Sequence, residues 1–181
     1  LRIKTSEETL NYLKEKGAAI IILAHRGRPQ GKIDGSLSLK PFQPIFDKWG
    51  AKVEENLRFD HGEEENDPEF AKKLALLGDV YVNEAFGNSH REHASIVGLP
   101  KLLPHAAGFR FEKEIENLSK VFDNPARPVV FIIGGAKKDK LDYIKSLESV
   151  ADKILVGGRL PDYLQDRYSL PVRQAGIPDI K

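Results

Sequence analysis

Two short basic segments hold the side chains best suited to chemistry. His25-Arg26-Gly27-Arg28 gathers an imidazole and two guanidinium groups around a glycine. His90-Arg91-Glu92-His93 repeats that mixture after the small, polar stretch Phe86-Gly87-Asn88-Ser89. Glycine lets the backbone turn sharply, and arginine presents a planar fork of donors that matches phosphate or carboxylate oxygens. The chemistry these residues suggest is anion recognition. Taken singly, each segment also reads as a solvated basic turn. Two histidines three apart, with no cysteine or carboxylate in a ligand pattern, fit a zinc site poorly, so no metal site is assigned. Arg58, in Glu55-Asn56-Leu57-Arg58-Phe59, adds a cation between apolar neighbours; its alternative partner is the acidic loop from Gly62 to Asp67.

A different kind of segment, Gly134-Gly135-Ala136-Lys137, comes after the apolar run Val129 to Ile133 and precedes a helical pattern. Glycines there expose backbone N–H groups, a helix start adds positive potential, and a lysine can follow a transferring charge. Gly157-Gly158-Arg159 stands after a second apolar run in the same way. Neither G-x-x-x-x-G-K-[ST] nor G-x-G-x-x-G occurs, which argues against P-loop NTPases and dinucleotide-binding dehydrogenases.

These segments need a scaffold, and the periodicity supplies one. Ser6 to Lys16 places Leu10 and Leu13 on one face, with Glu7 and Glu8 after Ser6 and Gly17 as a terminator, so a short helix is predicted. Ala18 to Ala24 then reads as a strand covered on both faces. The alternation recurs: a helix over Pro68 to Leu77 before Asp79 to Val82, a helix over Phe111 to Phe122 before Pro128 to Ile133, and a helix over Lys140 to Val150 before Lys153 to Val156. This predicts an α/β fold, a mostly parallel sheet with helices on both faces in three αβα layers. Ligands in such sheets bind beyond the carboxyl ends of the strands, which is where the glycine-rich and basic segments fall. A domain boundary is expected near Asn124 to Pro128, where two prolines flank the end of a long helix.

Composition narrows the classes further. Lys plus Arg number 28 against 27 Asp plus Glu in 181 residues, a net charge of +1, so no global field points to nucleic acid or an anionic membrane and any anion site is local. With no cysteine there is no disulfide framework, no thiolate metal site and no thiol nucleophile, a composition that fits a reducing cytoplasm. The longest apolar run, Gly17 to Ala24, is far shorter than the ~20 residues of a membrane-spanning helix. From the absence of methionine we expect a sequence that starts inside a longer protein, or one from which some residues are omitted.

Five stretches in this order resemble the phosphoglycerate kinase family: Leu23-Ala24-His25-Arg26-Gly27-Arg28-Pro29, Ser38-Leu39-Lys40-Pro41, Glu55 to Phe59, Tyr81 to Gly87 continuing through His90 to Ser95, and Gly134 to Lys137 with Asp139-Lys140. The resemblance runs from Arg2 to about Leu164. It implies a two-domain hinge enzyme, usually monomeric and cytoplasmic, that moves a phosphoryl group reversibly between 1,3-bisphosphoglycerate and ADP, giving 3-phosphoglycerate and ATP with Mg2+. The substrate domain would be residues 1–123, and 124–181 part of the nucleotide domain, with the hinge near Phe122 to Pro128. The acidic substrate would be held by Arg2, His25, Arg26, Gly27, Arg28, Arg58 and Arg91, with His93 beside them. Lys137 and Arg2 would act in catalysis, and Gly134, Gly135, Lys137, Lys140, Gly157 and Gly158 would meet the nucleotide. Phosphoryl transfer depends on positioning and charge stabilisation rather than on a protein nucleophile, which suits such a kit.

The sequence also departs from the family. No counterpart of its amino-terminal strand precedes Leu1. A helix and two strands, one of them central and buried, are missing between Val53 and Glu54. Lys137 and Lys140 stand three apart where the family spaces them four, so one residue is lost before Lys138. Arg159 replaces a third glycine, and the family's later glycine-rich loop and metal-binding aspartate have no counterpart before Lys181. The chain alone is therefore not expected to turn over, and the alternative from another class is a non-catalytic domain of the same descent that binds phosphate ligands.

Overall fold

Leu10 and Leu13 recur at helical spacing because one side of their helix faces the interior, and the computed structural model, which describes residues 2–163 together with Arg173 and Gln174, forms it there. A single turn α1 (Arg2–Thr5) leads into α2 (Glu7–Glu15). Ser6 occupies the N-cap position but makes no side-chain capping bond; its backbone is already helical, which turns the hydroxyl away from the amides it would cap. The other end behaves as expected. Gly17 adopts φ +73°, its N–H donates to Lys14 O at 2.9 Å, and Ala18 N–H donates to Leu13 O at 3.0 Å, the pairing by which glycine closes a helix.

The chain forms two compact units, Leu1–Ile115 and Glu116–Lys181. In the first, the predicted strand from Ala18 to Ala24 shortens to β1 (Ile21–Ile22), which pairs in parallel with β2 (Lys52–Val53). Ile21 and Ile22 are half-buried, not covered on both faces. The pairing is brief because the chain after Val53 swings directly into the turn at Asn56; only isolated bonds, Leu57 N–H to Ala24 O at 3.1 Å among them, extend the contact. The second pair is also parallel, β3 (Tyr81–Asn83) with β4 (His105–Ala107), and the two pairs are separate sheets. The unit is α/β, as predicted, but its sheet is broken in the middle.

Helices close the gaps. A core of Leu10, Ile20, Phe46, Trp49 and Ala51 joins α2 to α3 (Gln43–Phe46). A second core of Leu57, Leu74 and Leu99 lies beside α4 (His61–Glu64) and α5 (Pro68–Ala75). Helix α5 starts cleanly, with Pro68 in its first turn and the Asp67 carboxylate accepting from Phe70 N–H at 2.7 Å.

Helix α6 (Phe109–Phe122) carries the chain out of the first unit. The second unit is a parallel three-stranded sheet of β5 (Val130–Ile133), β6 (Lys153–Val156) and β7 (Arg173–Gln174), with β6 in the centre. Between β5 and β6 the sequence predicts a helix over Lys140 to Val150; the structure has a 3-10 turn at Lys138–Leu141 and then α7 (Asp142–Leu147). Leu141, Ile144, Ile154, Val156 and Leu160 form its core. Asp152 fixes the start of β5: it accepts from Val129 N–H at 2.6 Å and pairs with Arg127 at 2.9 Å, and these two partners hold its carboxyl below the usual range. Leu164, where the resemblance ends, and the rest of the chain to Lys181, apart from β7, lie outside the described residues.

Candidate functional site

Asn56 is the residue on which the basic segments are assembled. It is 3% exposed, and its amide is fully used. Its Nδ2 donates to Arg26 O at 2.8 Å and Leu37 O at 3.0 Å, while its Oδ1 accepts from Arg26 N–H at 3.3 Å and Arg58 N–H at 3.2 Å. One side chain therefore ties the turn after β1 to the segment after β2. The adjacent Glu55 accepts from Ser38 Oγ and Leu39 N–H, both at 2.8 Å, and from Asn56 N–H at 2.9 Å. Burial raises the tendency of its carboxyl to protonate, but these bonds outweigh it and hold the group below its ordinary range.

Arg58 is brought inside by this arrangement. It is 3% exposed; its Nη1 donates to Gly27 O at 2.9 Å and its Nε lies 3.2 Å from Glu64 Oε1. Burial pushes its guanidinium pKa down, Glu64 and Glu63 oppose that, and Arg91 and Arg28 reinforce it. Three arginines from three separate segments thus share one electrostatic neighbourhood. His93 joins them. Burial lowers its pKa first, Glu63 and Glu64 pull it up, and Arg58 and Arg91 push it down. His93 Nδ1 lies 3.6 Å from Glu63 Oε1, and Glu63 accepts from Ser95 N–H and Oγ. The arrangement is a cluster of positive groups over a buried polar floor, suited to holding a small anion with several oxygens.

The other predicted residues sit variously around it. Arg28 and Gly27 are exposed, and Arg91 is half-buried. His25 is half-buried, just beyond the end of β1. Arg26 places its guanidinium carbon 5.7 Å from the centre of the Phe42 ring, so its side chain is stacked on an aromatic face. Arg2 opens α1, and its side chain lies outside what the structure describes.

In the second unit, the turns after β5 and β6 meet backbone to backbone. Gly135 has φ +138° and Gly158 φ +68°; Arg159 N–H donates to Gly135 O at 3.1 Å. A Cβ on Gly158 would lie 2.7 Å from Gly135 O, so the contact is sterically closed to any side chain. Gly158→Ala is therefore expected to destabilise this unit by about 2 kcal/mol or more, through the left-handed backbone and the displaced turn. Hydrogen exchange at the β6 amides reads it: protection should drop, and unchanged protection contradicts the contact. Lys140 donates to Gly134 O at 2.7 Å and leans across Gly135. Lys137 is exposed, and it leads into a 3-10 turn instead of the predicted helix start. Gly134 is exposed and Gly157 half-buried.

Sequence reasoning missed three functional supports. Asn56 stands inside the Glu55 to Phe59 stretch and Glu63 inside the acidic loop from Gly62, and neither residue type foretells burial, although the density of acids just after Arg58 is a signal for the second. Glu84 was not singled out at all. Its two oxygens accept from Arg110 N–H and Phe111 N–H at 3.4 and 3.2 Å, capping α6, and it also accepts from the Thr9 hydroxyl, which in turn accepts from Phe109 N–H at 2.9 Å. The segment that carries Arg91 is thereby anchored at its start to α2 and α6.

With this geometry in hand, comparison with known proteins is specific. The profile described as phosphoglycerate kinase matches residues 51–164. A phosphoglycerate kinase of Herpetosiphon aurantiacus is 44% identical over 184 residues, covering 87% of this chain and 47% of that protein. One from Solibacter usitatus is 40% identical over 206 residues, covering 99% of this chain and 53% of its own. That aligned length exceeds the chain itself, so the relative has residues within the matched span where this chain has none. Among solved structures, phosphoglycerate kinase from Coxiella burnetii superposes with a TM-score of 0.78 at 32% identity, over 86% of this chain and 46% of that one. The chain spans about half the length of the curated relatives it matches.

Proposed function

Because the chain belongs to the phosphoglycerate kinase family, we propose that its first unit binds 3-phosphoglycerate and that the protein transfers a phosphoryl group reversibly between ATP and the carboxylate of that acid. The observation that carries this reading is that buried Arg58, bonded to Gly27 O beside Arg28, and His93, next to Glu63, are brought close enough to feel each other and Arg91. Arg2, His25, Arg26 and Gly27 complete the substrate set in this proposal, within a substrate domain of residues 1–123. Residues 124–181 begin the nucleotide domain, where Gly134, Gly135, Lys140, Gly157 and Gly158 approach ADP or ATP.

In the proposed reaction a carboxylate oxygen of 3-phosphoglycerate forms a bond to the γ-phosphorus of ATP as the bond from that phosphorus to the β-γ bridging oxygen breaks, yielding 1,3-bisphosphoglycerate and ADP; glycolysis runs it in reverse. Lys137 and Arg2 would stabilise charge on the transferring group, and the cluster around Arg58 would orient the acid. The nucleotide arrives as its magnesium complex, as a substrate; among the described residues no group of three histidines or carboxylates could hold a metal ion, and no step here depends on one. Closure about a hinge near Phe122 to Pro128, a monomeric state and a cytoplasmic setting belong to the same proposal. Among the described residues no helix is long and apolar enough to cross a membrane.

The test is ATP-dependent consumption of 3-phosphoglycerate by the full-length protein containing both domains, paired with calorimetric binding of 3-phosphoglycerate. Losing one charge-assisted contact to the ligand weakens binding by about 10- to 100-fold, so Arg28→Ala and Arg91→Ala should each raise Kd and KM on that scale. Binding unchanged in both variants would reject the site, and an intact protein without turnover would reject the reaction.

A further inference from the structure

Glu63 is 1% exposed, the most deeply buried ionisable side chain among the described residues. It stands on α4, a single turn whose start is fixed by the Asp60 carboxylate accepting from Gly62 N–H at 2.9 Å, and that turn comes directly after Arg58. Glu63 Oε2 accepts from Ser95 N–H at 3.0 Å; Oε1 accepts from Ser95 Oγ at 2.6 Å and lies 3.6 Å from His93 Nδ1. The neighbouring Glu64 serves Arg58. Two consecutive carboxylates thus hold two cationic segments that are far apart in sequence.

Ser95 by itself does not explain a charge at this position. A glutamine could accept from its N–H and donate to its hydroxyl, without the penalty of burying an anion. The surplus negative charge faces His93 and, more distantly, Arg58. We propose that Glu63 is a positioning residue: a buried carboxylate whose charge, 3.6 Å from Nδ1, orients the His93 ring and so presents Nε2 to an anionic ligand. The proposal rests on reading this cluster as the 3-phosphoglycerate site. When the ligand's oxygens arrive at Nε2, the ring gains an acceptor on each side, and the imidazolium with both nitrogens protonated becomes the favoured form. Binding therefore draws a proton from solvent onto His93. The charged groups that face this ring are Glu63 and Glu64 from α4, Arg58 before it and Arg91 beside it. Tyr81, also near Glu63, stays un-ionised, its phenol pushed up to about 12 by burial and by that carboxylate.

The experiment compares the full chain with its Glu63→Gln variant, which keeps the shape and the Ser95 bonds. The His93 ring C–H is titrated by NMR with and without saturating 3-phosphoglycerate. In the wild type the ligand should raise the His93 midpoint. In Glu63→Gln the ligand-free midpoint should fall by about one pH unit, the effect of removing an opposite charge within 4–6 Å, and the ligand-induced rise should be lost. An unchanged free midpoint, or an equal rise with ligand in both proteins, overturns the proposal. Failure of the wild type to bind 3-phosphoglycerate instead overturns the substrate reading, and the ligand-free comparison still decides whether Glu63 controls His93. If Glu63→Gln does not fold, Ser95→Ala takes its place. With the hydroxyl gone, Oε1 turns its charge on the imidazole and the midpoint should rise; no rise overturns the proposal.

Discussion

Arg58→Ala is expected to lower the stability of the first unit by about 2–4 kcal/mol and to abolish measurable 3-phosphoglycerate binding. The side chain is buried, so its removal leaves a cavity, takes the donor from Gly27 O and the cation from Glu64, and leaves buried Glu63 facing one positive charge fewer. Each change acts in the same direction, and no water-exposed substitute for the guanidinium exists at a position 3% exposed. The single tryptophan, Trp49, is itself in the core of this unit, so its fluorescence during urea unfolding reports the loss directly. Arg58→Lys should fall between, since an ammonium cannot span Gly27 O and Glu64 as the planar fork does. A wild-type unfolding midpoint in Arg58→Ala would contradict the burial and bonding described for this residue.

Asn56→Ala should be at least as damaging, by about 3–5 kcal/mol, because one truncation strands four backbone groups. Two carbonyls, of Arg26 and Leu37, lose a donor, and two N–H groups, of Arg26 and Arg58, lose an acceptor. Ser38→Ala is the control: it removes one bond to Glu55 and a longer, exposed one from Lys40 N–H at 3.2 Å, and should lower stability by only about 1 kcal/mol. If the two variants unfolded at the same urea concentration, Asn56 would not be the organiser of the basic segments. The same comparison by calorimetry should show 3-phosphoglycerate binding lost in Asn56→Ala and nearly retained in Ser38→Ala.

Legibility in the sequence divides along a physical line. Helix α6 was legible because its apolar residues repeat at helical spacing, and β6 because Lys153 to Val156 is a β-branched and apolar run bounded by Asp152 and Gly157. The glycine at position 17 announced a helix end that its positive φ then supplied. By contrast, β4 consists of His105, Ala106 and Ala107, all exposed; nothing in those residue types favours a strand, and only pairing with Tyr81 to Asn83 makes one. The run from Ala18 to Ala24 looked like a longer strand than it is, since strand length depends on a partner that the local sequence does not contain. The cations of the candidate site were legible by type. Their supports were not. Asn56, Glu63 and Glu84 are polar residues that ordinarily stay at the surface, and their burial or bonding arises from contacts with residues 30, 32 and 75 positions away.

The contact between Gly135 and Gly158 also bears on how this molecule can vary. Two turns that belong to different strands, and are separated by more than a whole helix in the chain, share one interface with no room for an added methyl group on Gly158. A side chain at 158 would run into the main chain of the other turn, whereas one at 135 would meet only the movable end of Lys140. In a library of random variants, position 158 should therefore stay glycine whatever stands at 135, because the obstacle there is main chain that no exchange of side chains removes.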